Sequence, residues 1–381
     1  MSAQKVGFYG HVRQYHNLKA ELDAAIHGVL ESGAYVLGPR VKQFEEELAR
    51  YCAMRHAVGL NSGTDALWLV FIALGLGPGD EIITTSNTFF ATAEAIWLVG
   101  ATPVFVDIDP NTRNIDPKLI EAAISPRTKA VVPVHLYGQP ADMKAISAIA
   151  KKHKLRVIED CAQALGARGA DFAIGELSDA VATSFIIQKN LGCFGDGGAV
   201  ITNDTALTAQ IAKLRNHGSP KRSHHSIGYN SRLDEIHAAT LSVKLKYLDR
   251  WSDRRIEIAK KYDTALAGTS LQLPVTLTGY RHVNHLYVVE TDARDHLQAH
   301  LDAQGITALT HYPIAIHQQD GYPWGRPARI SGSLKHTERS AARVLSLPMY
   351  PELTDEEVSR VIEAIVAWDK TQAGKAQKVA S

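Results

Sequence analysis

Cysteine is scarce: Cys52, Cys161 and Cys193 are the only three in 381 residues. They are odd in number and far apart. That pattern argues against a disulfide framework and against a zinc or other metal site, and it fits a reducing cytoplasm. Charge of one sign is missing too, since 41 Lys and Arg face 40 Asp and Glu. No global positive field recommends a nucleic acid or an anionic membrane as partner. Long apolar runs are absent. The longest stretches, such as Leu67 to Leu76, are short and sit inside amphipathic patterns, so no membrane span is expected. The start, Met1 to His11, lacks a basic stretch followed by an apolar core, and no signal peptide is read there. Neither an internal repeat nor a low-complexity tract is found.

What is present is the composition of a globular protein, 45% hydrophobic and 21% charged, with enough chain for two lobes. The first two-thirds alternate short β-branched runs with helical stretches. Strands are expected at His56–Leu60, Glu81–Thr85, Thr102–Ile108, Lys129–Leu136, Arg156–Cys161, Val181–Ile186 and Ala199–Thr202. Several are nearly continuous apolar runs, which suits strands buried on both faces of a mostly parallel sheet. Helices are expected around Thr64–Leu74, Ala91–Val99, Pro117–Ile124 and Met143–His153. This is the βαβ rhythm of an α/β protein. After about Asn203 the rhythm changes. Two long helices, Asp234–Leu248 and Arg254–Leu266, precede a smaller α+β unit with strands near His285–Glu290 and Ile306–His311. A last helix is expected from Asp355 to Trp368, opened by a Thr354/Glu357 capping box, with Thr371–Ser381 fraying beyond it.

Three segments carry chemistry. In Leu60-Asn61-Ser62-Gly63-Thr64-Asp65 a strand runs into a helix, whose free N-terminal amides make an anion site suited to phosphate. The same residues also suit a plain helix cap and turn. In Val157-Ile158-Glu159-Asp160 an apolar strand ends in two acids, where α/β sheets place their ligands. A carboxylate there can keep a proton on a pyridine nitrogen, which makes the ring a better electron sink; a helix cap or a surface pair is the plainer alternative. In Ser184-Phe185-Ile186-Ile187-Gln188-Lys189-Asn190 a lysine follows an apolar strand and precedes a glycine-dense turn. Burial makes such an amine nucleophilic, as Schiff-base chemistry needs, although most single lysines are solvated. The glycines Gly192, Gly195, Gly197 and Gly198 are not in GxGxxG order and lead into a strand, which excludes a dinucleotide fingerprint. Together the three segments read as a phosphate cradle, a pyridinium partner and a Schiff-base lysine.

The segments NSGTDAL, IEDCAQALGA, SFIIQKNLGCFGDGGAVITND and GYNSRLDEIHAA resemble the DegT/DnrJ/StrS family of sugar aminotransferases, over about Tyr15 to Trp368. The resemblance implies the fold of type I pyridoxal 5'-phosphate (PLP) enzymes. It implies a large cofactor-binding domain over residues 1–250 and a small C-terminal α+β domain over 251–381. By similarity Lys189 holds the cofactor and shuttles the proton, Asp160 pairs with the pyridine nitrogen, and Gln163 sits near the phenolic oxygen. Phe89 stacks on the ring, and Gly63, Thr64 and Ser184 hold the phosphate. Asn230 corresponds to a residue that reaches the neighbouring subunit's phosphate, which implies a homodimer with shared active sites. The plainer roles for Phe89 and Asn230 are a core aromatic and a turn residue.

Some relatives carry histidine in place of this lysine and remove a hydroxyl. Lys189 therefore implies transamination, with glutamate as the amino donor and a nucleotide-linked keto-sugar as acceptor. The stretches around Tyr15, Tyr35 and His311-Tyr312 resemble members that aminate carbon 3 of dTDP-linked 3-keto-6-deoxysugars. Tyr35, His311 and Tyr312 are the expected substrate-side residues, and a buried structural role is the alternative for each. Ile186-Ile187-Gln188, Cys161 and His217 depart from the usual family pattern on the sugar side, which leaves amination at carbon 4 or of another sugar open. The alternatives from other classes are a sugar dehydratase, which the lysine opposes, and a ligand-binding regulator, which would not need that lysine.

Overall fold

The apolar runs become strands because successive residues bury on opposite faces of one sheet. Ile82 joins a core with Leu69 and Ile96, whereas its neighbour Ile83 joins another with Met143 and Ile146. The computed structural model describes residues 5–219 and 223–379. Its strands are β1 (His56–Leu60), β2 (Glu81–Thr85), β3 (Thr102–Val106), β4 (Thr128–Val131), β5 (Arg156–Asp160), β6 (Ala180–Ser184), β7 (Gly198–Thr202), β8 (Tyr287–Glu290), β9 (Arg329–Ile330) and β10 (Val344–Leu347). The helices of the first half are α1 (His11–Ser32), α2 (Pro39–Tyr51), α3 (Gly63–Ala73), α4 (Ala91–Leu98), α5 (Ile120–Ala123) and α6 (Met143–His153). Those of the second are α7 (Thr205–Leu214), α8 (Glu235–Leu245), α9 (Leu248–Leu266), α10 (Arg294–Ala303), α11 (Lys335–Arg343) and α12 (Asp355–Val379).

Eight strands form one sheet in the order β1-β7-β6-β5-β4-β2-β3-β9. Pairing is parallel from β6 across to β9, and β7 is antiparallel to both β6 and β1. β1, β2, β5 and β6 therefore end at one edge of the sheet, and β7 begins there. Helices cover both faces: α3, α4 and α7 on one, α2, α6 and α8 on the other. This is the α/β architecture expected from the sequence. A second, two-stranded sheet of β8 and β10 packs against α9, α10 and α12 around Tyr262, Tyr287, Leu301 and Trp368. Val6, from the N-terminal segment, joins this second core.

The Thr354/Glu357 capping box forms as expected. The Thr354 amide donates to Glu357 Oε2 at 3.0 Å, and the Glu357 amide donates to Thr354 Oγ1 at 3.2 Å. Other bounds differ. β4 stops at Val131 instead of Leu136, since Pro133 has no amide to continue the ladder. The expected helix at Pro117–Ile124 begins as a tight 3-10 turn, Pro117–Leu119, before α5. α9 starts at Leu248 rather than Arg254. The expected strand Ile306–His311 is reduced to single bridges, Ile306 to Val6 of the N-terminal segment and Leu309 to Ser346 of β10. α12 runs on past Trp368 through the segment expected to fray, where no proline interrupts it; residues 380 and 381 lie outside the described residues.

Candidate active site

The edge where β1, β2, β5 and β6 end encloses a cavity of about 430 Å³, which is ordinary for a small-ligand site. Its floor is the start of α3. Ser62 caps this helix by accepting from the Asp65 amide at 3.0 Å, so the capping role is real. Capping leaves the Gly63 and Thr64 amides, at the first two helical positions, without acceptors inside the helix. Both residues line the cavity, opposite Ser184 at the end of β6. The approach is close enough to require glycine. A Cβ on Gly63 would lie 2.6 Å from Ser184 Cβ, and one on Gly198 would lie 2.3 Å from the Ser62 carbonyl. The result is a small concavity of two amides and a hydroxyl at the positive end of a helix dipole.

Asp160 ends β5 and is 5% exposed. Thr92 Oγ1 donates to its Oδ2 at 2.8 Å, and the Ala162 amide donates to Oδ1 at 3.1 Å. Burial lifts its carboxyl above the usual range, against these two donors and the Lys189 charge. Behind it, buried Glu159 accepts from the Gly175 amide at 2.9 Å and from Ser178 Oγ. His135 completes that set. Its Nδ1 accepts from the Ala141 amide at 3.1 Å, so Nε2 carries the hydrogen that reaches Glu159 at 2.6 Å. Of the two adjacent acids, Glu159 is consumed by structure and Asp160 faces the cavity.

Lys189 enters the cavity from the turn after β6. It is reachable through the cavity mouth, yet the packing around its ammonium draws its pKa down to about 8, with the Asp160 charge opposing. Among the described residues no ion pair engages either Asp160 or Lys189. The turn is held rigidly. The Lys189 amide donates to the Ile186 carbonyl at 2.8 Å, and the Cys193 amide donates to the Phe185 carbonyl at 2.8 Å. Buried Lys244 donates to the Gly192 carbonyl at 2.6 Å.

The opposite wall holds Gln163, Phe89, His311 and Tyr312. Gln163 Oε1 accepts from the Tyr137 amide at 2.7 Å, and its Nε2 donates to Tyr312 Oη at 3.1 Å. Phe89 is 55% exposed, with its ring 5.9 Å from that of Tyr312. Such an open aromatic is not the core residue that was the plainer alternative. His311 Nδ1 meets Ser346 Oγ at 2.9 Å, and burial lowers its pKa to about 4. Gly63, Thr64, Phe89, Asp160, Gln163, Ser184, Lys189, His311 and Tyr312 thus share one cavity. Tyr35 and Asn230 do not. Tyr35 donates to the Leu30 carbonyl at 3.0 Å on an exposed turn, and Asn230 is exposed and bridged to Asn216. Tyr9, Thr88, Asp196 and His285 also line the cavity, and Thr92 touches Asp160; none was singled out from sequence.

The donor set matches a phosphorylated pyridine aldehyde. The cradle offers amides and a hydroxyl of the kind that suit a phosphate, Asp160 is a buried carboxylate without an ion-pair partner among the described residues, and Lys189 is a desolvated amine lining the same cavity. Fold and site define a PLP enzyme of the type I class. The profile of the DegT/DnrJ/EryC1/StrS aminotransferase family matches residues 16–366, and the chain belongs to that family. It is 49% identical over 356 residues to the dTDP-3-amino-3,4,6-trideoxy-alpha-D-glucose transaminase of Streptomyces venezuelae, covering 93% of each chain. DesV of S. venezuelae, solved in complex with a ketimine intermediate, superposes with a TM-score of 0.93 at 48% identity, covering 96% of this chain and 99% of its own. NtdA of Bacillus subtilis, solved with bound cofactor PMP, superposes with a TM-score of 0.89 at 34% identity, covering 97% and 87%. The protein is a sugar aminotransferase, and its cofactor is pyridoxal 5'-phosphate. No helix among the described residues is long and apolar enough to cross a membrane.

Proposed function

We propose that the protein transfers an amino group from L-glutamate to carbon 3 of a dTDP-linked 3-keto-6-deoxyhexose, in the cytoplasm, as a homodimer with shared active sites. The observation that carries this reading is one cavity joining the Gly63–Thr64 cradle, Asp160 and Lys189, in a chain 49% identical to a dTDP-3-amino-sugar transaminase. When bound, PLP supplies an electron sink for the carbon that carries the migrating nitrogen.

The chain's own groups divide the remaining work. The Gly63 and Thr64 amides and the Ser184 hydroxyl bind the phosphate. Asp160, oriented by Thr92 and the Ala162 amide, holds the proton on the pyridine nitrogen. Gln163 lies beside the phenolic oxygen, and Phe89 covers one face of the ring. In each half-reaction Lys189 Nζ carries the proton between the substrate carbon and the cofactor, and its lowered pKa keeps a useful fraction of free amine near neutrality. His311 and Tyr312 contact the sugar. Tyr35 and Asn230, which lie outside their own subunit's cavity, act at the partner's site.

The test is turnover of a synthetic dTDP-3-keto-6-deoxyhexose with glutamate and PLP. The expected product has the mass of the amino sugar, with nitrogen at carbon 3 by NMR. Nitrogen at carbon 4, or no amino sugar from this substrate, would overturn the assignment.

A further inference from the structure

An acid three residues after a helix cap commonly reaches back to the cap's own amide. Asp65 stands three after Ser62 and does not. Its amide donates to Ser62 Oγ at 3.0 Å. Its carboxylate turns elsewhere, Oδ1 accepting from Trp68 Nε1 at 3.1 Å and Oδ2 from Ser231 Oγ at 2.6 Å. The second bond spans 166 positions of sequence and is of the short, charge-assisted kind. Ser231 is 1% exposed, and no other described acceptor takes its hydroxyl hydrogen.

The chain around Ser231 is pinned residue by residue. The Tyr229 amide donates to the Leu214 carbonyl at 2.7 Å, and the Ser231 amide to the Arg215 carbonyl at 2.9 Å. The Tyr229 carbonyl accepts from the His217 amide at 2.9 Å. Arg232 Nη1 donates to Asn216 Oδ1 at 3.0 Å. The Tyr229 ring stands edge-on to Trp68, with 4.3 Å between centroids. Asn230, in the middle, is the exception. Its side chain is exposed and makes no hydrogen bond among the described residues. Asp65 thus touches two things at once: the start of α3, whose Gly63 and Thr64 amides form the cradle, and the segment that carries an exposed, unengaged amide.

We propose that Asp65 and Ser231 are positioning residues for the neighbouring subunit's site, their hydrogen bond fixing the Asn230 segment to the start of α3 so that each subunit presents Asn230 to its partner's cofactor phosphate. The inference rests on the shared-site reading given above. Under it, the cradle that holds one phosphate is also the footing for the residue that reaches the other. A carboxylate that served only the dipole of its own helix would not need Ser231.

Hybrid dimers separate the two roles. A Lys189→Ala chain and an Asn230→Ala chain, differently tagged, give a dimer with one working site, made of Lys189 from the second chain and Asn230 from the first. Ser231→Ala is then placed in one chain or the other. The readouts are turnover and the PLP concentration that half-saturates the visible band, which only the Lys189-bearing site can give. In the first chain, Ser231→Ala is expected to raise half-saturating PLP about tenfold, as befits one lost hydrogen bond to a charged group, and to lower turnover at limiting PLP. In the second chain it is expected to leave both at the parent level. A loss that follows the second chain, or no loss in either, overturns the proposal. Should Ser231→Ala not fold, Ser231→Cys, which fills the same space with a weak donor, is placed in the same two chains and judged by the same outcomes. A parent hybrid no more active than the Asn230→Ala homodimer would defeat the shared-site reading itself, a failure seen before Ser231 is touched.

Discussion

At the scale of single residues, the site works by placing unpaired charge where water is scarce. Asp160 and Lys189 lack ion-pair partners of their own among the described residues, and burial pushes both away from their charged forms. A cofactor that brings a pyridinium to one and an aldehyde to the other relieves both. Replacing Asp160 with Asn keeps the size and removes the charge. The expected outcome is retained but weaker cofactor binding and a turnover lower by roughly a hundredfold or more, read by steady-state kinetics. An unchanged rate would remove Asp160 from the mechanism. That Lys189 and Asp160 share the cavity was legible because each sits in a short motif at a strand end, whereas Gln163 came only through the family resemblance. Thr92 and His285 were not legible. Thr92 is one polar residue inside the apolar start of α4, and it meets Asp160 across 68 positions of sequence. His285 looked like the first residue of an ordinary buried strand.

At the scale of elements, the start of α3 and the start of β7 are built against each other. Gly198 sits where any side chain would strike the Ser62 carbonyl and the Gly63 amide. Gly198→Ala therefore forces the cradle open. It is expected to cost about 1–3 kcal/mol of stability by thermal melting and to weaken cofactor retention more than the loss of stability explains. A variant that melts like wild type and keeps its cofactor would contradict the close approach. Elements that bury both faces or carry a cap were readable: the central strands, α6, and α12 with its capping box. β10 was not, and at Ile306 and Leu309 extended chain was expected but not that it would be reduced to single bridges. They are short, and their pairing depends on Val6 and on residues tens of positions away, which periodicity cannot reveal.

At the scale of the whole molecule, the reading requires a second copy. Asn230 and Tyr35 are exposed and do not line the cavity of their own chain. If each site borrows from its neighbour, Lys189→Ala and Asn230→Ala protomers should complement. Mixed and refolded in equal amounts, they are expected to recover up to about a quarter of wild-type activity, since half the dimers are hybrids with one intact site. No recovery from a verified hybrid would show that Asn230 acts within its own subunit or not at all. The central claim is amino transfer through Lys189, and the most direct test is the visible absorption spectrum of the PLP-loaded protein. Glutamate should bleach the yellow band, and a dTDP-linked 3-keto-6-deoxysugar should restore it, while Lys189→Ala does neither. A wild-type band indifferent to glutamate, or a Lys189→Ala protein that still completes both steps, would contradict the account.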